Sequence, residues 1–106
     1  MFGFLTKLKG KVVNVNDMDE LLGKINLIDI RETYEYKSGS LRGSKNIPMG
    51  KLSEEAEKYL NKNDEYYIMC QSGGRSSRMC SKLTKQGYNV INVSGGMGSY
   101  VGSKRK

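Results

Sequence analysis

The sequence predicts an α/β fold in which a small parallel β-sheet is flanked by helices on both faces. Short apolar segments with strand character alternate along the chain with segments of helical periodicity, and this alternation is typical of parallel sheets. The segments Asn26–Asp29 and 66–69 are compact and apolar, as strands buried on both faces are. We therefore expect a sheet of four or five strands.

The chain is long enough for one domain with one modest core. It has 106 residues, of which 37% are hydrophobic, and both values are ordinary for a single globular domain. We expect one domain over residues 1–106 with its core at about 14–101. Residues 1–11 are interpreted as an N-terminal extension and residues 102–106 as a basic tail.

Each expected element of the first half of the chain has a local signal. The acidic residues that follow Asn16 suit the dipole of a short helix capped by that asparagine. Pro48, the only proline, has no N–H to donate to a sheet and therefore closes a strand. The elements expected here are a weak strand at 12–13, a helix over 17–22, a strand at Asn26–Asp29, a loop over 31–45 with helical turns near Thr33–Lys37, and a strand at 45–47.

The second half of the chain repeats the alternation. Ser53 is an expected N-cap, because three glutamates and then apolar residues at core spacing follow it. Gly87 stands where a helix C-cap belongs. The elements expected here are a helix opened by Ser53, a strand at 66–69, a helix over 76–86, a strand at 89–93 and a loop over 94–98.

Charge and hydropathy exclude several classes of partner. The chain carries 18 Lys and Arg against 11 Asp and Glu, a net charge of +7, but its only basic run is 104–106. Scattered basic residues indicate a solvated basic face, so we expect no nucleic-acid partner. The longest apolar run is five residues, at 66–70, against about 20 in a spanning helix. The first ten residues lack the apolar region of a secretory signal, so we expect no membrane partner and a cytoplasmic location.

The cysteine and histidine counts restrict the chemistry further. The chain has two cysteines and no histidine, so it cannot build a Ser-His-Asp or Cys-His catalytic pair. It has no Cys-x-x-Cys motif for zinc and too few cysteines for a disulfide framework. We expect no metal and no organic cofactor.

One loop carries the strongest chemical signal. Cys70 ends an apolar strand and is followed by Gln71-Ser72-Gly73-Gly74-Arg75 and then by a helix from Ser76. In open α/β sheets, ligands bind beyond the carboxyl ends of the strands. Paired glycines let backbone N–H groups converge on one point, and Arg75 and the helix N-terminus add positive charge. These features favour a thiolate, so we expect Cys70 to have a depressed pKa and to be nucleophilic.

For each of the two cysteines, a reactive role has to be compared with ordinary packing in the core. A cysteine that ends an apolar strand is, taken alone, more typical of a core position, because free cysteine packs as a small hydrophobe. The Gly-rich, Arg-bearing turn after Cys70 favours the reactive interpretation. The loop lacks the Gly-x-x-x-x-Gly-Lys-Ser/Thr pattern of a nucleotide-binding loop. Cys80 shares a helix face with Met79 and Leu83, so we expect it to pack in the core rather than act as a resolving thiol.

The loop from Cys70 to Ser76 resembles the active-site loop of rhodanese-like sulfurtransferases. Ser40 replaces a usual histidine of that family, and Tyr100 stands near a common tryptophan. We expect altered packing at both positions rather than lost activity. Three further stretches carry the resemblance in the family's order, and together they cover residues from about 14 to 100: Leu27-Ile28-Asp29-Ile30-Arg31-Glu32, Gly39-Ser40-Leu41-Arg42-Gly43-Ser44-Lys45-Asn46-Ile47-Pro48, and residues 88–96.

The resemblance implies a stand-alone, single-domain sulfurtransferase. Cys70 would be the catalytic residue, taking a sulfur atom from thiosulfate or a persulfide donor and passing it from a Cys70 persulfide to cyanide or a thiol. The implied partners are this small-molecule donor and acceptor, or a protein that carries a persulfide. The residues that would bind the persulfide or the substrate are Gln71, Ser72, Gly73, Gly74 and Arg75, with Arg75 holding an anionic donor.

Supporting roles follow from the same resemblance. Asp29, Arg31 and Ser76 would brace the loop, although Asp29 and Arg31 equally fit an ordinary surface pair. We expect a monomer in which the Cys70 side chain is reachable from solvent, in a shallow pocket with Arg75 on its rim. A nucleophile must be reachable, so a Cys70 side chain buried away from solvent would overturn the catalytic assignment.

Two alternatives to sulfur transfer remain open from the sequence. Rhodanese-like phosphatases use a Cys-x5-Arg loop, whereas this chain has the shorter Cys70-x4-Arg75. A tighter ring of N–H groups suits one sulfur atom better than a phosphoryl or arsenate group. The second alternative is a non-catalytic binding module, and the presence of Cys70 favours catalysis over it.

Overall fold

Five parallel strands form a single sheet, which confirms the predicted fold class. The structure, a computed structural model, describes residues 11–106. Parallel neighbours need crossover connections, which the helices and loops between strands supply. The strands are β1 (Lys11–Asn14), β2 (Asn26–Asp29), β3 (Ser44–Asn46), β4 (Glu65–Met69) and β5 (Asn89–Ser94), in the spatial order β1-β5-β4-β2-β3.

Helices cover both faces of this sheet, as predicted. Alternate residues of a strand point to opposite faces, so Ile28 and Ile68 join one apolar cluster while Leu27 and Met69 join another. The helices are α1 (Thr33–Lys37), α2 (Met49–Glu54), α3 (Ala56–Tyr59), α4 (Gly74–Lys85) and α5 (Gly96–Ser99), and a 3-10 turn spans Val15–Asp17. The first cluster includes side chains of α2, α3 and α4, and the second includes side chains of the 3-10 turn and α5.

The helix predicted over 17–22 does not form. A 3-10 turn at Val15–Asp17 is followed by further turns, and its N-cap is Asn14, not Asn16. The Asn14 side chain accepts a hydrogen bond from the backbone N–H of Asn16 at 2.9 Å. Val15 and Met18 are both fully buried, so their packing sets the path of a segment that is too short to be a stable helix by itself.

The helix predicted to open at Ser53 begins earlier and is broken. Pro48 is the N-cap of α2, and its carbonyl accepts the N–H of Leu52 at 3.1 Å. Ser53 therefore lies inside α2. Glu55, with φ −130° and ψ 43°, separates α2 from α3. Proline favours the start of a helix because its φ is already restricted, and this effect outweighs the capping preference of serine.

Other boundaries moved by one or two residues. The strand predicted at 45–47 is Ser44–Asn46, and the helix predicted over 76–86 begins at Gly74. The segment predicted as a loop over 94–98 contains the helical turn α5. Lys11 of the expected N-terminal extension belongs to β1, and residues 1–10 of that extension lie outside the described residues.

The basic C-terminal segment is hydrogen-bonded to the body of the domain. Arg105 forms an antiparallel bridge with Leu41, and the Lys106 N–H donates to the Ser40 carbonyl at 2.9 Å. The Tyr100 hydroxyl donates to an Asp19 carboxylate oxygen at 2.7 Å. Ser40 and Tyr100 are both buried, so the two departures from the family's pattern lie at packed positions.

Within residues 11–106, no helix combines the length and the apolar character that crossing a membrane requires.

Candidate active site

The chain changes direction in the sheet at the carboxyl ends of β2 and β4. These strands are neighbours, and the Ile30 N–H just past β2 donates to the carbonyl of Met69, the last residue of β4, at 2.9 Å. The chain leaves β2 towards β3 at one edge of the sheet and leaves β4 towards β5 on the other side. Such switch points are where α/β sheets bind ligands. Cys70 and Asp29 both lie at this point, as the sequence predicts.

The sulfur of Cys70 acts as the N-terminal cap of α4. Its Sγ accepts hydrogen bonds from the backbone N–H groups of Gly73, at 3.1 Å, and Ser76, at 3.3 Å. Ser76 is the third residue of α4, where a backbone N–H has no partner within the helix. A negatively charged sulfur is favoured at this position because the helix dipole is positive there.

The two cysteines differ in pKa although both are buried. Burial opposes ionisation of Cys70, but hydrogen bonds from the Ser76 hydroxyl and from the backbone N–H groups of Ser76 and Gly73 outweigh it. The pKa of the Cys70 thiol is therefore lowered. At Cys80 burial, together with the charge of Cys70, raises the pKa to about 12. A buried cysteine is normally inert, so Cys70 departs from an ordinary core cysteine and Cys80 fits one.

Ser76 connects Cys70 to a polar residue in the middle of the sheet. The Cys70 thiol donates to the Ser76 hydroxyl oxygen at 3.4 Å, and the Ser76 hydroxyl donates to Asn92 Oδ1 at 2.6 Å. When Cys70 ionises, the hydroxyl hydrogen can turn from Asn92 to the thiolate. Asn92 is a residue of β5 that sequence analysis missed. The sequence feature that could have identified Asn92 is an amide side chain between the apolar residues Ile91 and Val93 of a short strand.

We expect Ser76→Ala to raise the pKa of Cys70, because it removes a hydroxyl that stabilises the thiolate while keeping the backbone N–H. The rate of Cys70 alkylation by iodoacetamide should then reach its half-maximum at a higher pH, and less thiolate should be present at neutral pH. The pH profile of alkylation, followed by peptide mass, measures this. Ser77→Ala, an exposed neighbour, is the matched control, and equal midpoints in the two variants would contradict the role of the hydroxyl.

The Cys70 side chain is not exposed, contrary to the sequence prediction. None of its surface is accessible to solvent, so the expected shallow pocket around a reachable thiol is wrong, and Cys70 cannot act as a nucleophile from this conformation. The physical reason is the cap itself, because Sγ is drawn towards the Gly73 and Ser76 N–H groups and packs with the apolar cluster that contains Ile30 and Ile68.

The loop residues predicted to bind the sulfur occupy different environments. Gly73 is in the left-handed region with φ +100°, which favours glycine, and Gly74 begins α4. Gln71 and Ser72 are exposed residues. The Gln71 carbonyl accepts from the Gly98 N–H at 2.8 Å and the Cys70 carbonyl from the Met97 N–H at 2.9 Å. The turn α5 thus holds the start of the loop, a contact that sequence analysis missed.

Gly96 allows α5 to approach the Cys70 loop this closely. Its φ is +61°, and a Cβ there would lie 2.6 Å from the Gln71 carbonyl oxygen and closer still to that of Cys70. We expect Gly96→Ala to lower the free energy of unfolding by about 1–3 kcal/mol, the usual cost of overpacking. Urea unfolding measures this. Gly50→Ala, where a Cβ meets open space, is the control and should be neutral or slightly stabilising, whereas equal effects would contradict the steric argument.

Asp29 and Arg31 form a buried ion pair that braces the loop, and the surface-pair alternative is wrong. Their exposed fractions are 0% and 2%. Arg31 Nη2 lies 2.9 Å from Asp29 Oδ2 and donates to the Gly39 carbonyl at 2.7 Å, while Nη1 donates to Gln71 Oε1 at 3.1 Å. The guanidinium therefore joins the end of β2 to the first residue after Cys70.

Arg75 lies beside the loop in an ion pair with Glu35 of α1. Its two terminal nitrogens donate to the two carboxylate oxygens of Glu35, each at 3.0 Å. The sequence predicted an Arg75 directed at an anionic donor and did not single out Glu35. The two residues are 40 positions apart, and only the resemblance of the segment before Glu35 hinted that α1 lies near the loop.

Comparisons with known proteins agree with this geometry. A family model described as a rhodanese-like domain matches residues 14–103. Two proteins of Bacillus subtilis are similar: "Putative sulfur carrier protein YrkF" is 42% identical over 81% of this chain and 45% of its own length, and "Putative sulfurtransferase YtwF" is 39% identical over 74% and 76%. The chain thus spans less than half the length of YrkF.

A solved structure shares the fold. The structure described as a rhodanese-like domain protein from Staphylococcus aureus superposes with a TM-score of 0.81 at 27% identity, covering 92% of this chain and 97% of that one. The family model covers most of the chain, and its range includes β2, the Cys70 loop and α5. The chain belongs to the rhodanese-like domain family.

Proposed function

We propose that this chain is a sulfurtransferase that carries a sulfane sulfur as a persulfide on Cys70. The observation that carries the proposal is the pair of backbone N–H groups, from Gly73 and Ser76, that converge on Cys70 Sγ. The names of its relatives YrkF and YtwF, a sulfur carrier and a sulfurtransferase, support the same activity.

The first step loads sulfur onto Cys70. The Cys70 thiolate attacks the outer sulfur of thiosulfate, forming a new S–S bond to Sγ. The S–S bond of thiosulfate breaks, and its electron pair leaves with sulfite. A persulfide donor reacts in the same way and releases a thiolate. The negative charge that was on Sγ is now on the outer sulfur, where nearby N–H groups of the loop stabilise it.

The second step returns the enzyme to its starting state. Cyanide or an acceptor thiolate attacks the outer sulfur, and Cys70 leaves as a thiolate, which yields thiocyanate or a new persulfide. A thiolate with a lowered pKa is a good leaving group. The hydrogen bonds that favour the Cys70 thiolate therefore help this step as well as the first.

The reaction requires that the buried sulfur become accessible. Because Cys70 exposes no surface in this conformation, a donor reaches Sγ only after a displacement of the groups that cover it. Gln71 and Ser72 are the exposed residues of the loop, and they join the end of β4 to α4. We propose that movement of this segment uncovers the sulfur.

Intact mass measurement tests the proposal directly. After incubation with thiosulfate or an alkyl persulfide, we expect the protein to gain one sulfur atom on Cys70 and to lose it on addition of cyanide. An aryl phosphate should not be hydrolysed. Absence of any sulfur gain, together with alkylation of Cys70 no faster than that of Cys80, would overturn the proposal in favour of a non-catalytic binding module.

A further inference from the structure

The ion pair between Arg75 and Glu35 is bidentate and half-buried. Nη1–Oε1 and Nη2–Oε2 are both 3.0 Å, and the two side chains expose only 29% and 20% of their surface. Parallel hydrogen bonds of this kind are among the strongest that a guanidinium makes. The charge of Arg75, the second residue of α4, is therefore already neutralised by a protein carboxylate.

The carboxylate is held in place independently of Arg75. Glu35 Oε1 also accepts the backbone N–H of Glu32 at 2.9 Å, in a reciprocal capping box at the start of α1. Hydrogen bonds from Arg75, against a smaller effect of burial, lower the pKa of Glu35, so its charge is present at neutral pH. Glu35 thus does not need Arg75 to keep its position and remains beside the loop if Arg75 moves.

Within residues 11–106, two arginines beside the Cys70 loop are paired with carboxylates, whereas a third, Arg78, is not. Asp29 and Arg31 form one pair, and Glu35 and Arg75 form the other. Arg78, one turn further along α4, forms no ion pair with any of residues 11–106 and lies beside Gly74. Hydrogen bonds to Glu35 raise the pKa of Arg75, and the charge of Cys70, five residues earlier in the chain, adds to this.

We propose that Glu35 is a specificity-determining residue: by holding Arg75, it lowers the reactivity of Cys70 towards dianionic sulfur donors relative to donors of lower charge. The proposal rests on the sulfur transfer proposed above and names the donor class that the site favours. Thiosulfate, a dianion, has either to displace Glu35 from Arg75 or to react close to an additional carboxylate. An alkyl persulfide with at most one negative charge meets a smaller penalty in both cases.

Glu35→Gln removes the charge and keeps the size and the hydrogen-bond acceptor of the side chain. We expect the second-order rate constant of sulfur loading from thiosulfate to rise about tenfold. This is the effect of removing one negative charge at roughly 6 Å from a dianion in a water-like dielectric. Loading from hydroxyethyl persulfide should change by a smaller factor. The gain for thiosulfate should shrink at high salt, since screening weakens the interaction between charges.

Two further variants separate the ion pair from general charge effects. Glu32→Gln removes the same charge from the N-cap of α1, a residue that interacts with Arg75 through its charge but forms no hydrogen bond to it. It should therefore change the ratio of the two loading rates by less than Glu35→Gln does. Arg75→Gln added to Glu35→Gln should abolish the gain, because no guanidinium is left to be freed. A gain that persists in the double variant, or an equal gain in Glu32→Gln, would overturn the proposal.

A readout that does not involve sulfur transfer keeps this inference separate from the proposed function. The rate of Cys70 alkylation by anionic iodoacetate, divided by the rate with neutral iodoacetamide, should rise about threefold in Glu35→Gln and by a smaller factor in Glu32→Gln. Sulfur loading that fails with both donors while this ratio rises would refute the sulfurtransferase and keep the role of Glu35 in charge selection. An unchanged ratio would refute that role whether or not sulfur is transferred.

Discussion

Replacing Cys70 by serine should abolish both sulfur loading and sulfur transfer. A serine hydroxyl is a far weaker acid than the Cys70 thiol, whose pKa is lowered, and an oxygen cannot form the persulfide. The fold should persist, because serine is close to cysteine in size. Intact mass after incubation with thiosulfate, and thiocyanate formation with cyanide as the acceptor, both measure the loss.

Cys80→Ala is the matched control for this experiment. Burial raises the pKa of Cys80 to about 12, so this thiol stays protonated at neutral pH, and we expect the variant to keep both loading and transfer. Its thermal midpoint shows whether the core tolerates the change. If Cys70→Ser still gained sulfur, or if a folded Cys80→Ala variant failed to gain it, our assignment of the chemistry to Cys70 would be wrong.

Asp29→Asn should cause the largest loss of stability, about 3–5 kcal/mol in the free energy of unfolding, as is usual when one partner of a buried ion pair is removed. The change leaves the Arg31 guanidinium, which is 2% exposed, without a counter-charge. Denaturant unfolding measures the effect. Because Arg31 also bonds Gln71, sulfur loading should fall in any folded fraction.

Asp64→Asn controls for the loss of one aspartate charge. Asp64 is exposed and forms no salt bridge with any of residues 11–106, so its replacement should change the free energy of unfolding by less than about 0.5 kcal/mol. Equal effects of the two substitutions would show that the Asp29–Arg31 pair has no special role in holding β2 to the Cys70 loop.

Several elements could be predicted from local sequence because local forces suffice to form them. The apolar runs at Asn26–Asp29 and in β4 have few stable alternatives to a buried strand, and both were correctly predicted. The pattern of a cysteine, a turn with two glycines and then a helix predicted a candidate site at the carboxyl end of β4, which is where Cys70 lies.

Boundaries were less predictable because packing competes with capping preferences. Asn16 and Ser53 are good capping residues, yet the turn at Val15 and the helix after Pro48 begin before them. Val15 and Leu52 are fully buried. The burial of these two side chains therefore determines where the segments turn.

The sequence by itself determined the fold class, the reactive loop and the identity of the candidate nucleophile, because each depends on residues that are adjacent in the chain. Only the tertiary structure decided that Cys70 is buried, that α5 holds its loop and that Glu35 neutralises Arg75. The α5 and Glu35 contacts join residues 27 to 40 positions apart. Their geometry depends on how the sheet brings distant segments together, and no local pattern of residues records it.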